Sequence, residues 1–431
     1  MNPSSVEKDL SSFVEYHADR LVEILRELVR IPSENTPPAG SERDCQTYIA
    51  SFLSELGWNP VLYLLREVPG LNEHPVFVAG RCYDDRPNLG ARFKGAGGGR
   101  SLLLSGHIDT VPRGSFPWTK DPFGGAVEGN RVFGRGANDM KGGVATNLFV
   151  VEALRKMNIR LAGDLLFETV IDEEFGGANG TLAGRLMGFN ADAAIISEPS
   201  FLRVCPAQRG GRTAHVLLEA SGGVLTEGSF PAGVIDQLTF LLAALREFAD
   251  QRRRRARIHE LYGDHTDPVP VSVTKIITSP WGTREPITIP EQCKIEIYWQ
   301  AMPGETQDAI DREFLEWLDS LASLPGTPFS QIPKVSFPIR WLPGSAISRS
   351  EPIVTELSAC ATRTLGSPPP VVGIEGPCDM FVFHEVMNTP AVLWGGRGGN
   401  THAADEYVEI DSLVDAAKTL LVFVCNWCGI V

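Results

Sequence analysis

Apolar runs of strand length alternate with helical stripes along the first half of this chain, and the strands end in polar segments. Strands are expected at Pro60 to Leu65, Ala91 to Phe93, Leu102 to Ser105, Asp164 to Ile171 and Ala191 to Ser197. Helical spacing covers Val6 to Val29, Glu42 to Leu56, Lys141 to Met157 and Gly177 to Met187. That order predicts an α/β sheet, at least partly parallel, covered by helices on both faces. After Pro206 the pattern changes to strand, helix, strand, strand, helix, strand, the split ferredoxin-like plan of a compact α+β insertion. From Glu351 the α/β pattern resumes with helix Pro352 to Leu365, strand Ala391 to Trp394 and helix Ser412 to Trp427. The expected domains are therefore 1–207 and 343–431, forming one catalytic body, and 208–342, inserted into it.

At 431 residues and 43% hydrophobic, the chain is long enough for two cores. Its net charge of −14 disfavours a nucleic-acid partner, because such proteins gather positive charge on the contact face. The segment MNPSSVEKDL lacks the pattern of a secretory signal, and no apolar run reaches the roughly 18 residues of a membrane span. A cytoplasmic location away from membranes is the expectation. The cysteines are scattered, which fits free thiols better than a disulfide framework. Cys425 and Cys428 end an apolar helical stripe and not a strand-to-helix turn, so the pair is read as structural. The run Arg252 to Arg255 is read as a solvated helix end.

The chemistry is concentrated at the strand ends. SGHIDTVP (Ser105 to Pro112) follows the Leu102-Leu103-Leu104 run and presents His107 and Asp109 two residues apart, hence on one side. His107 can bind a metal through one ring nitrogen while Asp109 holds the other. GRGANDMKGG brings Asp139 to the start of a helix. Asp172, Glu173 and Glu174 are consecutive acids at a strand end, which repel one another unless a cation neutralises them. Glu198 follows the next strand, and the glycine-rich GGNTHAADEYV presents His402. Open α/β sheets build their sites at these carboxyl ends. Histidines and carboxylates without cysteine suit zinc, cobalt or manganese. Two ions about 3.5–4 Å apart need a shared ligand, for which Asp139 is the natural bridge.

These five motifs resemble, in order and spacing, the di-zinc amidohydrolase and metallopeptidase superfamily of acetylornithine deacetylase, succinyl-diaminopimelate desuccinylase, aminoacylase and glutamate carboxypeptidase. The resemblance implies that His107 and Glu198 hold one Zn2+, that Glu174 and His402 hold the other, and that Asp139 bridges them, followed by a cis peptide to Met140. It implies Glu173 as general base and Asp109 as the residue that orients His107. The expected activity is removal of an acyl group from an N-acyl amino acid or related amine. The alternatives are a dipeptidase or carboxypeptidase of the same fold, acting on short peptides, and a metal-binding relative without turnover.

The inserted segment departs from the resembled pattern. Relatives carry a histidine where aligning Gly222 and Gly233 places Thr226, with Glu227 beside it, and an arginine where this chain has Tyr298, Trp299 and Gln300. Thr226 is too short and Glu227 has the wrong charge to steady an oxyanion, so Arg397, before His402, is the candidate replacement donor. A homodimer pairing edge strands of the insertion is compatible with the resemblance but not required for chemistry.

Overall fold

The computed structural model describes residues 3–221, 232–278 and 290–431. Gly222, Thr226 and Glu227 lie outside the described residues. The chain divides into two compact units: Met1–Ala207 with Ala346–Ile374 and Cys378–Val431, and Gln208–Ser345 with Glu375–Pro377.

The first unit is built on a six-stranded sheet ordered Ala391–Leu393, Ala194–Ile196, Leu102–His107, Leu165–Val170, Pro87–Phe93, Val61–Leu64. The first four strands are parallel and the last two antiparallel to their neighbours. Every residue of Leu102–His107 and Leu165–Val170 is buried. Side chains on both faces are therefore covered, which is why these strands read as continuous apolar runs without polar alternation. The Lys141–Lys156 helix is buried from Lys141 to Leu154 and packs against Ala18–Arg30 and Ile410–Cys428. Its approach to the sheet is close at Gly143, where a Cβ would stand 1.8 Å from the Ser197 carbonyl oxygen, so no other residue fits.

A second, four-stranded sheet, not foreseen from the sequence, joins Gly398–Gly399, Tyr407–Glu409, Arg131–Phe133 and Ala126–Glu128. It ties the segment leading to Asp139 to the hairpin that carries His402, since Tyr407 pairs with Phe133 and Val408 with Val132. Its strands are too short for periodicity to declare them. The long N-terminal stripe is also two helices, Pro3–Tyr16 and Ala18–Arg30, with the break at His17.

In the second unit the antiparallel strands Val271–Ile277, Gln292–Ala301, Gly210–Glu219 and Lys334–Ser336 lie in that spatial order, beside helices Val234–Arg255 and Gln307–Ala322. Trp299 stacks on Phe314 at 4.8 Å within its core. Arg252 corrects the expectation of a solvated basic run: it is buried, pairing with Glu305 at 2.9 Å and Glu313 at 2.6 Å. A buried guanidinium needs such partners, because an uncompensated charge in the interior is costly.

Candidate metal centre

His107 is the last residue of its strand and is buried. Its Nδ1–H donates to the Asp109 carbonyl oxygen at 2.8 Å. A carbonyl only accepts, so in the neutral ring Nε2 carries the lone pair, and it faces Asp139 Oδ1 at 3.0 Å and Glu198 Oε1 at 3.6 Å. His402 Nε2 meets the other oxygen of the same carboxylate, Asp139 Oδ2, at 3.3 Å, and Glu174 Oε2 at 2.8 Å. Asp139 thus turns one oxygen to each imidazole. The Asp139–Met140 peptide is cis, and Met140 is anchored in the core while its sulfur accepts the His107 backbone N–H at 3.2 Å.

Asp109 supports the centre differently from the expectation. Its carbonyl, not its carboxylate, holds the His107 ring; the nearer carboxylate oxygen is 3.7 Å from Nδ1. The carboxylate instead accepts the backbone N–H groups of Glu173 and Glu174, each at 3.2 Å, and the Asn35 amide at 2.9 Å. It clamps the acid loop. Asp172, which opens that loop at φ 66°, is held by Tyr83 at 2.7 Å and Asn35 at 3.2 Å. Gly177 closes the loop, and a Cβ there would lie 1.6 Å from the Asp172 carbonyl oxygen.

A second buried carboxylate does the same for the Asp139 turn. Glu406 accepts the N–H groups of Asn138 and Asp139 at 3.0 Å and of Gly136 at 3.1 Å, and pairs with Arg135 at 2.5 Å. The residue lies within GGNTHAADEYV, where nothing local distinguishes its acid from the adjacent Asp405. Asp379, equally unforeseen, is buried close enough that its charge raises the pKa of Glu173 and Glu198. An acid inside the apolar segment Cys-Asp-Met-Phe-Val-Phe was the available signal.

The ligand-capable atoms of His107, Asp139 and Glu174 lie within 4.8 Å of one another, as do those of His107, Glu173 and Glu198. Burial, then the neighbouring acids, pushes Glu173 and Glu198 well above the carboxylate range and Glu174 to about 7. Asp139 goes the other way: burial opposes it, but hydrogen bonds to both histidines hold it low. Against burial, the carboxylates raise His402 to about 10 and His107 well above its ordinary value. The donor set, imidazole nitrogen plus carboxylate oxygen shared through Asp139, fits two divalent ions of the zinc class.

The profile of Peptidase family M20/M25/M40 matches residues 103–426. The chain belongs to this family. This M20-family chain is 26% identical over 446 residues to N-formyl-4-amino-5-aminomethyl-2-methylpyrimidine deformylase of Bacillus subtilis, covering 97% of each sequence. It is 25% identical to acetylornithine deacetylase of Salmonella typhimurium, over 94% of this chain and 97% of the relative. Its fold is that of the di-peptidase Dug1p from Saccharomyces cerevisiae, with a TM-score of 0.76, 16% identity and 99% of both chains covered.

In this M20-family hydrolase the structure brings together His107, Asp139, Glu173, Glu174, Glu198 and His402, with Asp109 behind them. Arg397 is not among them. Its guanidinium pairs with Glu409 at 3.1 Å and Asp411 at 3.7 Å, because the hairpin of Gly398–Gly399 with Tyr407–Val408 sets Arg397 opposite Glu409. The proposed oxyanion donor is already engaged. Among the described residues no helix is long and apolar enough to cross a membrane.

Proposed function

We propose that this chain is a metal-dependent amidohydrolase that removes a small acyl group from an N-acyl amino acid or related amine. The observation that carries the reading is the Asp139 carboxylate split between His107 and His402, with Glu173 beside it. Supporting it, the full-length relatives named above are a deformylase and a deacetylase, each of which by name takes a small acyl group from an amine. In this reading His107 and Glu198 hold one ion, Glu174 and His402 the other, and Asp139 both, with zinc as the metal and cobalt or manganese as substitutes. Bound ions would polarise the acyl carbonyl and lower the pKa of a water. Glu173 accepts the proton of the attacking water on its carboxylate and returns it to the leaving nitrogen.

A cytoplasmic protein with free thiols belongs to this reading, and so does a homodimer through the inserted unit. Ile276 and Ile277, exposed on the edge strand Val271–Ile277, support the latter. The test is a screen of zinc-reconstituted protein against N-formyl, N-acetyl and N-succinyl amino acids and amines, with dipeptides alongside, following amine release. Turnover of acylated amines over dipeptides is expected. Preference for dipeptides would replace the deacylase reading, and no turnover with metal bound would remove both.

A further inference from the structure

The Lys141–Lys156 helix starts beside Asp139 and ends, about 24 Å away at about 1.5 Å per residue, at a cavity of about 270 Å³. The cavity floor is apolar. Buried Trp58 packs 5.5 Å from the Phe93 ring, with Leu154 and Ile159 alongside. The polar lining has one sign. Lys94, Arg155 and Arg160 face the cavity, no aspartate or glutamate lines it, and none of the three cations has an ion-pair partner among the described residues.

That is unusual in this chain, where Asp and Glu outnumber Lys and Arg by 53 to 39. Most arginines of the same unit are paired, as Arg20, Arg26, Arg100 and Arg363 show. Arg155 has a local explanation, because a cation in the last helical turn complements the carbonyl end of the helix. Lys94 and Arg160 lie outside the helix and have none. A dry cavity of about 150 Å³ accepts benzene, so this one has space for a substituted aromatic ring. Low-dielectric walls strengthen the attraction of its rim for an anion.

We infer that this cavity binds a small organic anion with a flat apolar body, of the aryl carboxylate or aryl sulfonate class. The ring lies on Trp58 and Phe93, and the acid group meets Lys94, Arg155 and Arg160. The site is separate from the metal centre and independent of the proposed reaction.

Calorimetric titration of the full zinc-loaded chain with naphthalene-2-sulfonate tests it. Saturable one-to-one binding is expected, unchanged after the metal is chelated. Affinity should fall at least tenfold for the uncharged methyl 2-naphthyl sulfone, and at least tenfold in R155E/R160E, whose substituted side chains are exposed. Ile159→Trp, which fills the cavity from its half-exposed side, should abolish binding and serves as a second, charge-neutral variant. Absence of saturable binding, equal affinity for the uncharged sulfone, or binding that disappears with the metal yet survives R155E/R160E would each overturn the inference.

Discussion

Glu173 and Glu174 are adjacent in sequence and differ in what surrounds them. Glu174 accepts the Val111 N–H at 3.2 Å and meets His402 Nε2 at 2.8 Å, whereas Glu173 groups with His107 and Glu198. Under the proposed assignment Glu173→Gln should keep its metal and lose about 10²- to 10⁴-fold in turnover, the usual worth of a general base. Glu174→Gln should lose metal affinity first, because a ligand supplies charge. Metal analysis beside rate measurements separates the two, and near-normal turnover by Glu173→Gln would remove it as the base. Away from the centre, half-buried His384 donates from Nε2 to the Ala391 carbonyl at 3.0 Å, and desolvation pushes its pKa down to about 4. The unfolded chain, with the ordinary value near 6.5, takes up the proton first as pH falls. The stability contribution is therefore complete above about pH 6.5 and lost towards about pH 4, at up to ~1.4 kcal/mol per pH unit. Denaturant titrations of metal-loaded wild type and His384→Gln across that window should show a shallower pH dependence in the variant.

Among the elements, the turn from Gly136 to Asp139 depends on Glu406. Glu406→Ala would strand the buried Arg135 guanidinium and leave three backbone N–H groups without their acceptor. Breaking such a pair costs about 3–5 kcal/mol, and equilibrium unfolding should show a loss of that size, together with weaker metal binding. The motif residues at strand ends were legible because a strand's end is written locally, in an apolar run followed by polar or glycine residues. Glu406, Asn35 and Asp379 were not, because their partners lie on segments far away in sequence, such as Asn35 with Asp109 and Asp172. Asp109 was recognised but for the wrong atom, since spacing gives the side of a strand and not whether carbonyl or carboxylate is nearer the ring. The Arg397 pairing was not legible for a related reason: its contact with Glu409 follows from the register of a hairpin whose strands are two and three residues long.

For the whole molecule, the metal should stabilise one unit and not the other. The acid cluster belongs entirely to the first unit, and a ligand that binds only the folded state adds about 2.7 kcal/mol at a hundredfold excess over its Kd. Scanning calorimetry should resolve two transitions, of which chelation lowers one and zinc restores it. A single transition that ignores chelation would contradict the centre. The interrupted layout of the first unit also bears on its biosynthesis. The strand Ala391–Leu393 completes the parallel sheet beside Ala194–Ile196, and the hairpin bearing His402 follows it, but all of Gln208–Ser345 is translated in between. At roughly 5–20 residues per second, the ribosome leaves Ala194–Ile196 an open edge for on the order of ten seconds or more. Beside that edge Glu198, two residues past Ile196, has already emerged without His402, and a carboxylate there discourages a second nascent chain from pairing.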